Sequence, residues 1–391
     1  MYCVECGSKL PEGAAFCGEC GTPVPLSGAS LQANANIPAG VSAASSCEVQ
    51  DSSGLAAGAP LTSETKGSNK KKRLIILGTG GTIAGVGIAG KSTGYKPGEL
   101  SVKDLLLSVP SLETLADIEA LQVCNVNSDD MTAPLWIKLA KTINEQAKRP
   151  EIAGFVITHG TDTMEETAYF LNLVVKTDKP VVVTGSMRPS TAMLVDGPAN
   201  IYQAVLCAAS DESVGRGVQL VLSGQVISAY AAQKTHTHAL ESMSGGMYGC
   251  RGVICDDLLV YTSTDSRPHT VNTEFCIDAV NDLPSVNVVF FNVDADPALL
   301  RYAAGISEGL VVAGAGAGEF SLEFAKAIDE VKVPVVLSSR VGAGMVPFDS
   351  CLCEKGIPAR GLTPQKAAVL LRLALTVTDD SREIRRIFET Y

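Results

Sequence analysis

LIILGTGGTIAGVGIAGKS, residues 74–92, ends at 85–92 in a match to G-x-x-x-x-G-K-[ST], the loop that cradles phosphates in nucleotide hydrolases. That reading requires a strand directly before Gly85 and a helix beginning at Lys91. The apolar run LIIL stops at Leu77, and STGYKPGELS after Lys91 carries Gly94, Pro97 and Gly98, which break a helix. The dinucleotide pattern G-x-G-x-x-G, begun at Gly78, also fails, because Ile83 stands where its third glycine belongs. The stretch is therefore read as a buried strand that delivers a GTGGT turn to the carboxyl edge of a sheet. In open α/β sheets that edge is where ligands bind.

The same texture recurs outward from this stretch. GFVITHGTD (154–162), PVVVTGSMRP (180–189) and VQLVLSGQ (218–225) are short apolar runs that end in glycine or polar residues. Helical patterns lie between them: WIKLAKTINEQAK (136–148), TMEETAYFLNLVV (163–175) and DGPANIYQAVLCAAS (196–210). Thr163 and Glu166 have the spacing of a capping box at the second of these. Continuous apolar strands alternating with helices predict a parallel sheet covered on both faces. The pattern restarts with SVNVVFFNVD (285–294), GLVVAGAGAG (309–318) and VPVVLSSR (333–340), and closes on TPQKAAVLLRLALTV (363–377). The expected fold class is α/β. Two domains with mainly parallel sheets, 73–265 and 283–391, follow a small N-terminal metal module (1–22) and a flexible linker (23–72).

The linker is dense in Ala, Ser, Gly, Asn and Pro, poor in aromatics, and ends in a lysine run. Such a segment buries too little apolar surface to offset its ordering. Cys3, Cys6, Cys17 and Cys20 form C-x2-C-x10-C-x2-C, each pair followed by a glycine. Four thiolates at this spacing suit a closed, structural tetrahedral zinc, and the segment resembles small zinc-ribbon modules. The other eight of the twelve cysteines are scattered and read as small buried hydrophobes. Thiolate metal spacing without a basic n-region and apolar h-region implies a reducing compartment, so a cytoplasmic location is expected. A net charge of −11 disfavours general binding of nucleic acid or anionic membrane. No apolar run reaches the ~18 residues needed to span a bilayer.

Two strand tips carry threonines, GTGGT at one and HGTDT (159–163) at the other, which suggests hydroxyl nucleophile chemistry. A lone loop threonine is more often a turn or cap, and Thr163 is read that way. LGTGGTIAG (77–85) and FVITHGTDTMEETAYFL (155–171) together resemble the signatures of the bacterial-type L-asparaginase/glutaminase family. KPVVVTGSMRPS (179–190), DGPANIYQAV (196–205), SSRVGAG (338–344) and LTPQKAAVLLRLALT (362–376) extend the resemblance over nearly the whole chain from Arg73 to Tyr391.

The resemblance implies a threonine amidohydrolase that converts L-asparagine, and L-glutamine in addition, to the acid and ammonia. Thr82 matches the nucleophile that forms the acyl-enzyme. Tyr95 matches the loop tyrosine bonded to it, which makes 85–94 a lid hinge whose glycines serve motion. Thr161, Asp162 and Lys234 match the family's Thr–Lys–Asp set. A desolvated lysine close to a hydroxyl can act as its base. Ser128, Asp129, Thr161 and Asp162 match substrate-binding positions, and loop amides near Thr161 would hold the oxyanion. No catalytic cofactor is implied. Sites shared across an intimate dimer imply a homotetramer, a dimer of dimers.

The sequence also departs from the family. Asp129 replaces an amide in Ser128-Asp129-Asp130-Met131, and Glu319 stands where an asparagine reaches into the neighbouring subunit's site. Glu319 could bind an α-ammonium group but would repel an α-carboxylate. The acidic residue expected after SSRV has only Glu354 as a candidate. His236 and His238 (HTH) read as a solvated loop pair rather than metal ligands, and His159 as an orienter of the HGTD turn. Two rival readings are an ammonia-supplying subunit of a tRNA-dependent amidotransferase and a catalytically weak amino-acid-binding module.

Overall fold

The structure is a computed structural model, and it describes Ser8, Lys9 and residues 71–391 apart from 92, 93, 97, 348, 350 and 351. Cys3, Cys6, Cys17, Cys20 and the linker lie outside the described residues. The chain divides into two units, Met1–Gly67 and Ser68–Tyr391, of which the second holds nearly all the described residues.

In the second unit the strands are, in order, β1 (Arg73–Gly80), β2 (Asp117–Val126), β3 (Ile152–Thr158), β4 (Val181–Thr184) and β5 (Val218–Leu222). There follow β6 (Gln225–Ser228), β7 (Gln233–Lys234), β8 (Met243–Ser244), β9 (Gly252–Cys255) and β10 (Leu258–Tyr261). The last four are β11 (Val286–Phe290), β12 (Gly309–Gly314), β13 (Val335–Ser339) and β14 (Ile357–Pro358). The α-helices of the first half are α1 (Val102–Leu107), α2 (Leu112–Leu115), α3 (Ala133–Ala147), α4 (Met164–Val174) and α5 (Gly197–Ala209). Those of the second half are α6 (Pro297–Gly305), α7 (Leu322–Glu330), α8 (Pro364–Ala374) and α9 (Ser381–Thr390).

Eight strands form one sheet in the order β10-β9-β6-β5-β4-β3-β1-β2. Its centre, β2-β1-β3-β4-β5, is parallel, while the β5-β6, β6-β9 and β9-β10 pairs are antiparallel. The switch comes at Leu222-Ser223-Gly224-Gln225. A two-residue turn with positive φ at Ser223 and Gly224 returns the chain as a hairpin. The second sheet, β11-β12-β13-β14, is wholly parallel.

The central strands are apolar on both faces because both faces are covered. Leu74, Ile75, Ile76 and Leu77 are fully buried, each contributing about 2 kcal/mol of transfer free energy. Alternate residues of β1 feed opposite cores. Leu74 and Ile76 pack with α1, α2 and α5, whereas Ile75 and Leu77 pack with α3 and α4. That second core continues through α8 and α9 to Val311 and Val336 of the small sheet. α8 thus lies between α4 and the second sheet, whose far face is covered by α6 and α7. β1 runs to Gly80, three residues past the apolar run.

The capping box expected at Thr163 does not form. Thr163 precedes α4, but its side chain makes no cap hydrogen bond, and its Oγ1 donates to the Ser128 carbonyl at 2.8 Å. The hydroxyl ties two loops of the sheet edge together instead.

Candidate active site

Neighbouring parallel strands place the two threonine loops side by side. β1 pairs in parallel with β3 through Ile76↔Val156, Leu77↔Ile157 and Gly78↔Thr158, so both strands deliver their following loops to the same edge of the sheet. The loops then meet glycine against glycine. A Cβ on Gly81 would lie 2.2 Å from the Gly160 nitrogen, and a Cβ on Gly160 would lie 2.7 Å from Ser128 Oγ. Gly81 also has φ +79°, which L side chains rarely adopt. Three chains converge here only because two of them lack a side chain.

Thr82 follows directly, in the 3-10 turn Thr82–Ala84, and is 6% exposed. Its Oγ1 is 2.7 Å from the Tyr95 hydroxyl. Tyr95 reaches it because Gly85 and Gly87 leave room. A Cβ at either would come within 2.8 Å of the tyrosine. Gly90 and Gly94 instead adopt positive φ. In this structure the glycines of 85–94 thus provide close approach at Gly85 and Gly87 and turning at Gly90 and Gly94. The loop is pinned by a Val86↔Lys96 bridge and by Ser190 and Thr191. Ser190 Oγ donates to the Gly85 carbonyl (2.7 Å), and the Gly87 N–H donates to Thr191 Oγ1 (3.0 Å).

On the adjacent tip, Lys234 Nζ donates to Thr161 Oγ1 at 2.9 Å and to Asp162 Oδ1 at 2.5 Å. Among the described residues, Thr161 Oγ1 has only a thioether, Met187 Sδ at 3.4 Å, as acceptor for its own proton. Asp162 is 55% exposed at the side chain and Lys234 16%, so the pair sits at a cleft mouth rather than in the core. Asp162, Lys234, His236 and Gln365 help to line that cleft.

His159 holds the turn from below. Trp136 Nε1 donates to Thr167 Oγ1 (2.8 Å), which leaves the Thr167 hydroxyl to donate to His159 Nε2 (3.0 Å). The His159 Nδ1–H then donates to the Gly160 carbonyl at 2.7 Å. Complete burial depresses the imidazole pKa to about 4, so the ring is neutral at physiological pH.

Ser128, at the end of β2, is buried, and its hydroxyl makes no hydrogen bond among the described residues. Asp129 is exposed, with Oδ2 accepting from Asn127 Nδ2 at 2.9 Å. Thr82, Tyr95, Ser128, Asp129, Thr161, Asp162 and Lys234 thus gather at one sheet edge. Glu319 does not join them within the chain. It lies in the exposed turn after β12, and its carboxylate makes no hydrogen bond or ion pair among the described residues. Glu354 is exposed beside α7, its N–H bonded to Asp329 Oδ1 at 2.9 Å. His236 Nδ1 accepts the backbone N–H groups of His238 and Ala239, closing a turn. No group of three or more His, Cys, Asp or Glu side chains is placed to hold a metal among the described residues. No helix among them is long and apolar enough to cross a membrane.

Sequence reasoning missed three residues behind the site. Glu165 Oε2 accepts the Lys234 backbone N–H, and its Oε1 accepts from Gln365 Nε2, both at 2.5 Å. Lys366, only 1% exposed, donates to the carbonyls of Ala229 (3.0 Å), Tyr230 (2.8 Å) and Ala232. Burial lowers the Lys366 pKa to about 8 and raises that of Glu166 to about 7. A signal did exist, since Lys366 occupies the same helical stripe as the buried Val369, Leu370 and Leu373.

Residues 73–266 match the family model for the N-terminal asparaginase domain, and 285–388 match the glutaminase/asparaginase C-terminal domain. Residues 2–24 match a zinc-ribbon domain. L-asparaginase 2 of Escherichia coli is 43% identical over 326 residues, covering 81% of this chain and 93% of that protein. A glutaminase-asparaginase of Acinetobacter glutaminasificans is 38% identical over 338 residues, covering 82% of this chain and all of that one. The solved structure of a probable cytoplasmic L-asparaginase from Campylobacter jejuni superposes with a TM-score of 0.78 at 40% identity. It covers 82% of this chain and 100% of that one.

Proposed function

The chain belongs to the asparaginase family, and we propose that it hydrolyses L-asparagine to L-aspartate and ammonia, and accepts L-glutamine as a second substrate. The observation that carries this reading is the pairing of two hydroxyl sites at adjacent strand tips. Thr82 is bonded to Tyr95 on one, and Thr161 to Lys234 and Asp162 on the other. In this reading Thr82 Oγ1 attacks the side-chain amide carbon, with Tyr95 taking part in its proton transfer. The C–N bond then breaks as the departing nitrogen gains a proton, releasing ammonia and leaving a threonine ester. Water attacks the ester, restoring Thr82 and giving the acid. Thr161 and Lys234 exchange protons through their 2.9 Å contact, and Asp162 orients the amine and meets the substrate's α-ammonium.

The open hydrogen-bonding capacity of buried Ser128 supports its role as a substrate contact. Asp129 and Glu319 are proposed to set substrate preference, the latter from a second copy in a dimer of dimers. We assign 73–265 as the catalytic domain, 283–391 as the second α/β domain, 1–22 as the ribbon and 23–72 as its linker. The four-thiolate donor set fits zinc, which Cys3, Cys6, Cys17 and Cys20 would hold as a structural ion in a cytoplasmic protein. The test is ammonia release from L-asparagine, L-glutamine and D-asparagine by the purified full chain. Thr82→Ala is expected to lose at least about 1000-fold in kcat, and unchanged turnover would remove the proposed nucleophile.

A further inference from the structure

The chain that carries Lys234 is held from outside its own sheet. Between β6 and β7, Ala229–Ala232 is buried, so its carbonyls need partners within the protein. Ala231 and Ala232 turn their N–H groups back to the Ser228 carbonyl, leaving the outward carbonyls of 229, 230 and 232 to be met elsewhere. Lys366 meets all three with one ammonium. Three acceptors use all three donors of a protonated amine. Glu165 and Glu166, on the facing α4, supply the opposing charge. One residue earlier, Gln365 holds Glu165 Oε1, while Glu165 Oε2 holds the Lys234 N–H. Two consecutive residues in the first turn of α8 therefore reach the Lys234 segment by separate routes, one through its carbonyls and one through its amide.

We infer that the Gln365–Lys366 turn of α8 is a brace that positions Lys234, so that the second α/β layer sets the geometry of the Thr161–Lys234–Asp162 set in the first. The inference rests on the proposed activity. Gln365 and Lys366 act through Lys234 and contact no reacting atom. Their effect falls on the 2.9 Å Nζ–Oγ1 contact. A displacement of about 1 Å in such a contact lowers turnover on the order of 100-fold while leaving distant substrate contacts in place. Ser128 and Asp129 lie at the end of β2 and are not carried by this segment.

The test compares the full-length native chain with Lys366→Met and Gln365→Met, measuring kcat and KM for L-asparagine well below the melting temperature. Amide exchange of residues 229–235 is followed by mass spectrometry. The brace predicts a fall in kcat of about tenfold or more for Lys366→Met and about threefold for Gln365→Met. KM should change less than about twofold, and exchange at 229–235 should be faster in both variants. A folded Lys366→Met protein with native kcat and native exchange overturns it. If Lys366→Met does not fold, Gln365→Met decides, because its side chain is only half-buried and its loss leaves the ammonium contacts intact. Should the native chain release no ammonia, the proposed activity fails instead, and exchange at 229–235 alone then supports or overturns the brace.

Discussion

Gly81→Ala tests the convergence on which the site is built. A Cβ at this position would sit 2.2 Å from the Gly160 nitrogen, 2.4 Å from its Cα and 2.8 Å from the His159 carbonyl carbon. All three atoms are backbone, so no side chain can rotate aside. Reaching ordinary contact at 3.4 Å requires the two loops to separate by more than about 1 Å. The backbone adds to this, because φ +79° with ψ −173° is a region nearly restricted to glycine and costs about 1–3 kcal/mol for alanine. Forced separation of packed backbone adds about 1–3 kcal/mol more. Thr82 is the next residue and Thr161 follows Gly160, so the separation falls directly between the two hydroxyl sites. A shift of that size corresponds to about 100-fold in kcat. The assay is ammonia release from L-asparagine together with a thermal melt. Gly215→Ala is the control. It has φ +71° but nothing within 4 Å of its Cβ, so it should cost about 1 kcal/mol of stability without changing kcat. A Gly81→Ala protein with kcat within about threefold of native and an unchanged melting temperature would refute the reasoning.

Tyr95→Phe removes only the hydroxyl 2.7 Å from Thr82 Oγ1. It should reduce kcat by about 100- to 10,000-fold with little change in melting temperature, which steady-state kinetics and calorimetry would check together. His159 predicts a pH dependence of stability. Its folded pKa of about 4 lies below the ordinary value of 6.5, so between these pH values the unfolded chain binds the extra proton. Stability therefore falls as pH drops from about 6.5 to 4, by about 3 kcal/mol. Denaturant melts over this range should show a shallower slope in His159→Gln. Zinc analysis of the full chain should return about one ion per chain, mostly lost in Cys3→Ser. kcat should be unchanged in that variant, since every proposed catalytic residue lies beyond position 73.

The α/β class and the strands that bear the chemistry are legible in the residues alone. Period and apolar continuity are local properties, and LIIL or FVIT has few other ways to bury both faces. Threonines at two strand ends point to hydroxyl chemistry, and it is the resemblance of the surrounding stretches to the asparaginase signatures that picks Thr82 and Thr161 out from Thr79 and Thr163. Other features depend on contacts between distant segments. Thr163 reads as a helix cap, yet its hydroxyl donates to the carbonyl of Ser128, 35 residues away, and makes no cap bond to α4. The glycines of 85–94 read as a hinge, and nothing local shows that Tyr95 packs into the space that two of them leave. The Lys366 clamp joins residues 134 or more positions apart, and nothing local at Lys366 names its partners. Which carbonyls a buried ammonium meets depends on how α8 lands between α4 and the second sheet. That placement is fixed by the packing of the shared core, a sum over many weak contacts that no short stretch contains.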